Sequence, residues 1–171
     1  IISADQVMDG SFLPPLKVKA KNRKDPNAPP PKDALGPDAL RLWVASSDYT
    51  SDIVLGEPVL KTIHQSLTKY RVIMKMLTGS MEQSARTFPL TALDHIALAQ
   101  LKDTMAEVEK HYKNYEFNKA FSSLNRWVAN DLSAFYLEAL KDRLYCADGG
   151  GVLEPIFMGF LRMLAPITPV L

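Results

Sequence analysis

The chain has 171 residues, is 47% hydrophobic and 23% charged, and carries a formal net charge of +1, enough apolar material for one buried core and too little charge to attract nucleic acid through a global field. A single cysteine, Cys146, excludes an internal disulfide and points to a reducing compartment. Nothing resembles a secretory leader, and the apolar stretch 152–171 is interrupted by Glu154, Arg162 and three prolines, which predicts a buried helix rather than a membrane span.

The chain starts at Ile1-Ile2 without a methionine, as expected of a fragment or a processed product. A short head, residues 1–10, precedes a segment of unusual composition. Six basic residues (Lys17, Lys19, Lys21, Arg23, Lys24, Lys32) against Asp25 and Asp33 give residues 16–35 a charge of +4, leaving −3 on the remainder. Seven of the twelve prolines fall between Pro14 and Pro37, so this Pro/Lys-rich stretch cannot bury much apolar surface and is expected to be a loop or partly disordered.

The body opens at Gly36-Pro37-Asp38, where proline suits a first helical turn. Leu40, Leu42 and Trp43 lead into a loop over 48–56, and Pro58 begins a helix with the cleanest periodicity in the chain. Leu60, Ile63, Leu67, Tyr70, Met74, Leu77 and Met81 alternate steps of three and four, a heptad-like seam. Gly79 and Ser80 weaken its end, and 84–90 forms a turn. Thr91 with Asp94 reads as a capping box, and Ile96, Ala97, Leu101, Met105, Val108 and Tyr112 stripe the helix that follows. Residues 116–144 predict one long helix of roughly 43 Å, with Phe117, Phe121, Leu124, Val128, Leu132, Phe135 and Leu140 on its apolar face. The 60–81 seam is expected to pack against that face. Gly149-Gly150-Gly151 reads as a flexible connector, and Leu153, Ile156, Phe157, Phe160, Leu161 and Leu164 stripe a final helix that Pro166 stops. No strand-like alternation of useful length occurs, so the fold class is all-α, a helical bundle.

Catalytic and metal sites are not expected. His64, His95 and His111 sit on three helical stretches without ligand spacing, and Cys146 has no partner cysteine. Glu138, Lys141 and Asp142, at i, i+3 and i+4, read as surface ion pairing. The glycine run lacks the Lys-Ser/Thr of a phosphate loop, so no cofactor is expected in this chain. Two features point towards RNA. The basic stretch is either a solvated linker or a set of cations for a phosphate backbone. Trp43 and Trp127 serve either as core anchors, the commoner use, or as base-stacking platforms if exposed beside Arg41 or Arg126.

Three stretches resemble isoleucyl-tRNA synthetases of the bacterial and mitochondrial type, in family order. GPDALRLWVASSDYTSDIVLG (36–56) is similar to the segment that contacts the inner corner of tRNA. Tyr115-Glu116-Phe117 runs through to an ending in which Tyr136, Leu137, Lys141, Asp142, Arg143 and Tyr145 match Tyr-Leu-x-x-x-Lys-Asp-Arg-x-Tyr, and the stretch 160–167 is similar to the family's Ala-Pro-Ile close. The head, 1–9, resembles the residues that directly follow the Lys-Met-Ser-Lys-Ser loop, whereas Lys75-Met76 only imitates that signature, being followed by Leu77-Thr78-Gly79 inside the seam. The Pro/Lys-rich stretch 11–35 departs from bacterial relatives and is similar to an insert in fungal mitochondrial enzymes.

The resemblance implies an anticodon-binding helical bundle of the class I synthetase type. It divides the chain into 1–35 (tail of the stem-contact region with the insert), 36–57 (stem-contact helix and loop) and 58–171 (the anticodon-binding bundle, truncated at its C-terminus). The implied parent joins isoleucine to tRNA(Ile) with ATP and Mg held in upstream catalytic and editing domains, acts as a monomer in the mitochondrial matrix or alternatively the cytoplasm, and meets no membrane. This fragment alone is expected to be inactive. Lys17, Lys19, Lys21, Arg23, Lys24, Arg41, Arg126 and Trp127 are the expected tRNA contacts. Rival readings are a valine or leucine enzyme, disfavoured by the stretch 44–49, and a non-catalytic helical module for RNA or protein.

Overall fold

The computed structural model describes residues 2–12, 34–53, 55–83, 89–146 and 152–171, and every regular element among them is helical. The Pro/Lys-rich stretch, expected to be a loop, and the glycine run, expected to be a connector, lie outside the described residues. The head forms α1 (Ala4–Met8), opened by a capping box in which Ser3 Oγ accepts from the Gln6 N–H at 3.3 Å and the Gln6 amide oxygen accepts from the Ser3 N–H at 2.9 Å. Gly36, at φ +79°, takes a turn that L side chains rarely adopt. Its N–H donates to the Met8 carbonyl at 3.0 Å, so the head returns to the start of α2 (Pro37–Ser46) and buries Val7 there.

α3 (Glu57–Gln83) buries the seam as predicted: Leu60, Ile63, Leu67, Tyr70 and Leu77 are in the core, with Met74 and Met81 packed partly against it. α4 (Ala92–Lys113) starts on the Thr91–Asp94 capping box. Its stripe differs at one position, since Ile96 is 47% exposed while Ala97, Leu101 and Val108 are buried. Neighbouring residues lie about 100° apart on a helix, so Ile96 falls at the outer edge of the face on which Ala97 is buried. The inward line also includes Asp94 and Thr104, which an apolar pattern leaves out.

The predicted fourth helix changes winding midway. α5 (Phe117–Arg126) passes into a π-helical segment (Trp127–Leu137) and then α6 (Glu138–Cys146). The π winding puts more residues in each turn, and the apolar face is displaced accordingly. Phe135, expected inside, is 43% exposed, and Tyr136 and Leu137 occupy the core. α7 (Leu153–Leu164) buries Leu153, Ile156, Phe160, Met163 and Leu164 and exposes Leu161.

α7 also alters the expected pairing of long helices. The backbones closest to α3 are those of α2 and α7, and α4 lies against α5, the π segment and α7. Phe160 is the wedge: the Tyr70 ring meets it edge-on at 5.7 Å from α3 and the Trp127 ring at 5.8 Å from the π segment. A hydrogen bond from Tyr70 Oη to Asn125 Oδ1 at 3.4 Å joins α3 to α5 across this wedge. α7 approaches α4 through Gly159, where an added Cβ would stand 2.8 Å from Leu101 Cδ1.

The end of α7 and the residues after it are tied back to the bundle. Tyr112 Oη donates to the Met163 carbonyl at 2.7 Å, Arg41 Nε to the Ile167 carbonyl at 2.8 Å, and the Val170 N–H to Asp38 Oδ2 at 3.1 Å. Among the described residues no helix is long and apolar enough to cross a membrane.

Candidate RNA-contacting surface

The ending that carries much of the resemblance splits into buried and solvent-facing halves. Asp94, completely buried at the first turn of α4, collects the inward half. It accepts from the Thr91 N–H and Oγ1, both at 2.8 Å, from Tyr136 Oη at 2.9 Å and from Arg143 Nη1 at 3.0 Å. Tyr136 Oη in turn accepts from the Val152 N–H at 3.3 Å, so the residue that precedes α7 is held by the same phenol. Burial pushes the Asp94 carboxyl up, but the hydrogen bonds from Thr91, Tyr136 and Arg143 together outweigh it and hold the group below the usual carboxylate range. Burial, reinforced by the adjacent carboxylate, pushes the Tyr136 phenol well up. Arg143 is therefore a bracing residue between α6 and α4. The outward half behaves as the spacing predicts, with Lys141 paired to Glu138 at 2.6 Å on the surface.

Of the expected contact residues, Arg41, Arg126 and Trp127 are among the described ones, and each has a different setting. Lys17, Lys19, Lys21, Arg23 and Lys24 lie outside the described residues. Arg126 is exposed, with its guanidinium paired to Glu107 of α4 at 3.1 Å. Trp127 is only 2% exposed and faces Phe160, so its ring has no open face for a base and it belongs with the core anchors. Neighbours on a helix lie about 100° apart, and Arg126 falls outside the buried face that Trp127 and Val128 share. Arg41 spends its guanidinium on the carbonyls of Ile167 and Pro166. Trp43 packs partly against the core, and its Nε1 is buried without a hydrogen-bond partner.

A surface corner with exposed aromatics is not marked by the sequence pattern. α4 ends in a Schellman turn, in which the Glu116 N–H donates to the His111 carbonyl at 2.9 Å and the Tyr115 N–H to the Tyr112 carbonyl at 3.1 Å. The residue that must turn left-handed is Tyr115, at φ +58°, where glycine is usual. Its side chain is 69% exposed, beside Phe117 at 6.3 Å between ring centroids. Tyr49, 66% exposed, reaches the Tyr115 carbonyl with its hydroxyl at 3.5 Å. An apolar cleft of about 530 Å³ opens there between α2, Phe117 and Pro166-Ile167. Glu116 caps the corner; hydrogen bonds from Lys119 and His111 draw its carboxyl down to about 2. The available signal was a tyrosine following Lys113-Asn114, a position that periodicity treats as a helix stop.

The family model for the anticodon-binding domain of tRNA ligases matches residues 94–171, which run from the buried aspartate of the brace to the end of the chain. Curated relatives extend the likeness across the rest. The chain is 42% identical over 112 residues to an isoleucine–tRNA ligase of a Nitratiruptor species, covering 65% of this chain and 12% of that one. It is 35% identical over 149 residues to the isoleucine–tRNA ligase of Bordetella pertussis (79% and 16%). It is 31% identical over 173 residues to the chloroplastic/mitochondrial isoleucine–tRNA ligase of Arabidopsis thaliana (94% and 16%). The chain spans about a sixth or less of the length of these relatives. Tyr136 and Arg143 thus brace the matched bundle from within: residues 94–171 are an anticodon-binding domain of the tRNA-ligase type, and the chain is similar along most of its length to isoleucine–tRNA ligases.

Proposed function

We propose that the chain grips tRNA(Ile) by its anticodon arm and inner corner, so that a parent isoleucine–tRNA ligase can join isoleucine to the distant acceptor end. The observation that carries this reading is the match of residues 94–171 to an anticodon-binding domain, on a bundle in which the motif residues Tyr136 and Arg143 close an internal brace on Asp94. Such a bundle contributes orientation: backbone contacts set the register of the RNA, and contacts to unpaired bases supply discrimination. ATP and Mg would be bound by upstream catalytic domains of the parent. The division into 1–35, 36–57 and 58–171, a monomeric parent and a place in the mitochondrial matrix belong to the same proposal. The chloroplastic/mitochondrial relative supports that location.

Arg126 remains a proposed contact because it is exposed and its pairing with Glu107 is on the surface, where such pairs are worth little. Lys17, Lys19, Lys21, Arg23 and Lys24 remain proposed phosphate contacts on their charge and spacing. Arg41 and Trp127 are proposed to act indirectly, by holding α2 and the π segment in place. The test is the affinity of the chain for a tRNA(Ile) transcript and for the same transcript with its anticodon replaced. A loss of about tenfold or more on replacement is expected, since one stacked or hydrogen-bonded base is worth roughly 1–3 kcal/mol. Equal affinities would overturn the anticodon reading.

A further inference from the structure

We propose that the solvent-facing side of α3 is a phosphate-binding strip for one strand of the anticodon stem; this deepens the tRNA-binding reading and rests on it. α3 contains four cations, Lys61, Lys69, Arg71 and Lys75, and its two carboxylates are at positions 57 and 82, at the ends. Lys61, Arg71 and Lys75 are exposed and Lys69 is half-buried. At 100° per residue, Lys61, Thr68, Val72, Lys75 and Gly79 fall along one line, with Lys69 and Arg71 on its two sides. The opposite side holds Leu60, Ile63, Leu67, Tyr70 and Leu77 in the core. Lys61 and Lys75 therefore lie near the middle of the outward half, with Lys69 and Arg71 about 80° to either side at its margins, and Lys69 and Lys75 are about 9 Å apart along the axis at 1.5 Å per residue.

The contrast with the other helices sets this face apart. α4 carries three lysines (Lys102, Lys110, Lys113) against four carboxylates (Asp94, Asp103, Glu107, Glu109), and elsewhere Lys113 sits on Glu109, Lys119 on Glu116, Arg126 on Glu107 and Lys141 on Glu138. On α3, Lys61 pairs with Glu57, and among the described residues Lys69, Arg71 and Lys75 have no ion pair. Uncompensated cations over a short distance fit a chain of anions, and a nucleic-acid strand supplies one at regular spacing. A groove also borders the strip. It measures about 550 Å³, lies between α3 and the π segment, and is lined by Val72 and Ile73 together with His64, Gln65, Thr68, Lys69 and Ser133, and His64 Nδ1 is buried there without a hydrogen-bond partner. Amide, hydroxyl and imidazole groups beside a row of cations suit the phosphate and 2′-hydroxyl groups of an RNA strand.

The experiment compares three forms of the chain: wild type, a Lys69→Gln/Arg71→Gln/Lys75→Gln variant, and a Lys102→Gln/Lys110→Gln/Lys113→Gln variant on α4 that removes the same charge. Affinity for the tRNA(Ile) transcript and for its isolated anticodon stem-loop is measured against KCl concentration. Each lost phosphate contact flattens the log–log slope by roughly 0.7–0.9. The α3 variant is expected to lose about two units of slope on both RNAs, and the α4 variant less than one. Wild type that binds both RNAs, with an unchanged slope in the α3 variant, overturns the strip alone. Equal losses in the two variants also overturn it, because charge anywhere would then suffice. Wild type that binds neither RNA overturns the strip together with the tRNA-binding reading beneath it.

Discussion

Replacing Arg143 by Met isolates the brace beneath the family motif. The substitution keeps much of the side-chain bulk and removes the cation that the structure sets against the fully buried Asp94 carboxylate. Removing one partner of a buried ion pair costs about 3–5 kcal/mol because a charge is left uncompensated. The Arg143 side chain is 23% exposed, and Thr91 and Tyr136 still donate to Asp94, so the lower end, about 3 kcal/mol, is expected. For a domain of this size that corresponds to a fall in Tm of about 6–12 °C. The assay is urea unfolding followed by circular dichroism at several pH values. The Asp94 carboxyl is held below its ordinary value in the folded state, so its stabilisation is present above the unfolded carboxylate pKa of about 3.9 and disappears as pH falls through the lower folded value. The gap between wild type and Arg143→Met should therefore be full at pH 7 and shrink in acid below about pH 4. A loss under about 0.5 kcal/mol at pH 7, or a gap independent of pH, would refute the brace, since an exposed ion pair would give such values.

Leu67→Ala and Leu124→Ala should each cost about 2–5 kcal/mol in the same unfolding assay, both side chains being at most 1% exposed; a cost below about 0.5 kcal/mol would mean that the faces are misassigned. Gly159→Ala should destabilise by about 1–3 kcal/mol through its contact with Leu101, and a Leu101→Ala background should lessen the added cost, which a double-mutant cycle would measure. Tyr115→Gly should raise stability by about 1 kcal/mol by relieving the left-handed backbone, and a Tm below wild type would show that the ring contributes more to packing than the turn costs. Trp127→Phe should lower stability and leave the ratio of affinities for different tRNAs unchanged, because its ring is enclosed; a changed ratio at wild-type stability would put the ring on the RNA.

Local pattern determined a large part of this protein. Heptad spacing in Leu60, Ile63, Leu67, Tyr70 and Leu77 marks the buried side of α3, because a three/four step keeps residues on one helical face whatever they pack against. The Thr91–Asp94 cap is equally local, being satisfied within one turn. The motif spelling out Tyr136 to Tyr145 leads to the family, but it does not reveal that Asp94, some fifty residues earlier, is what Tyr136 and Arg143 hold. That link is tertiary, as is the entry of Phe160 between Tyr70 and Trp127. Adjacent residues such as Ile96 and Ala97, or Arg126 and Trp127, are resolved only by the neighbouring helix, since periodicity fixes their separation on a wheel and not which of them meets a partner. The apolar pattern likewise does not mark the π winding of Trp127–Leu137, and Phe135 points outward although that pattern places it within.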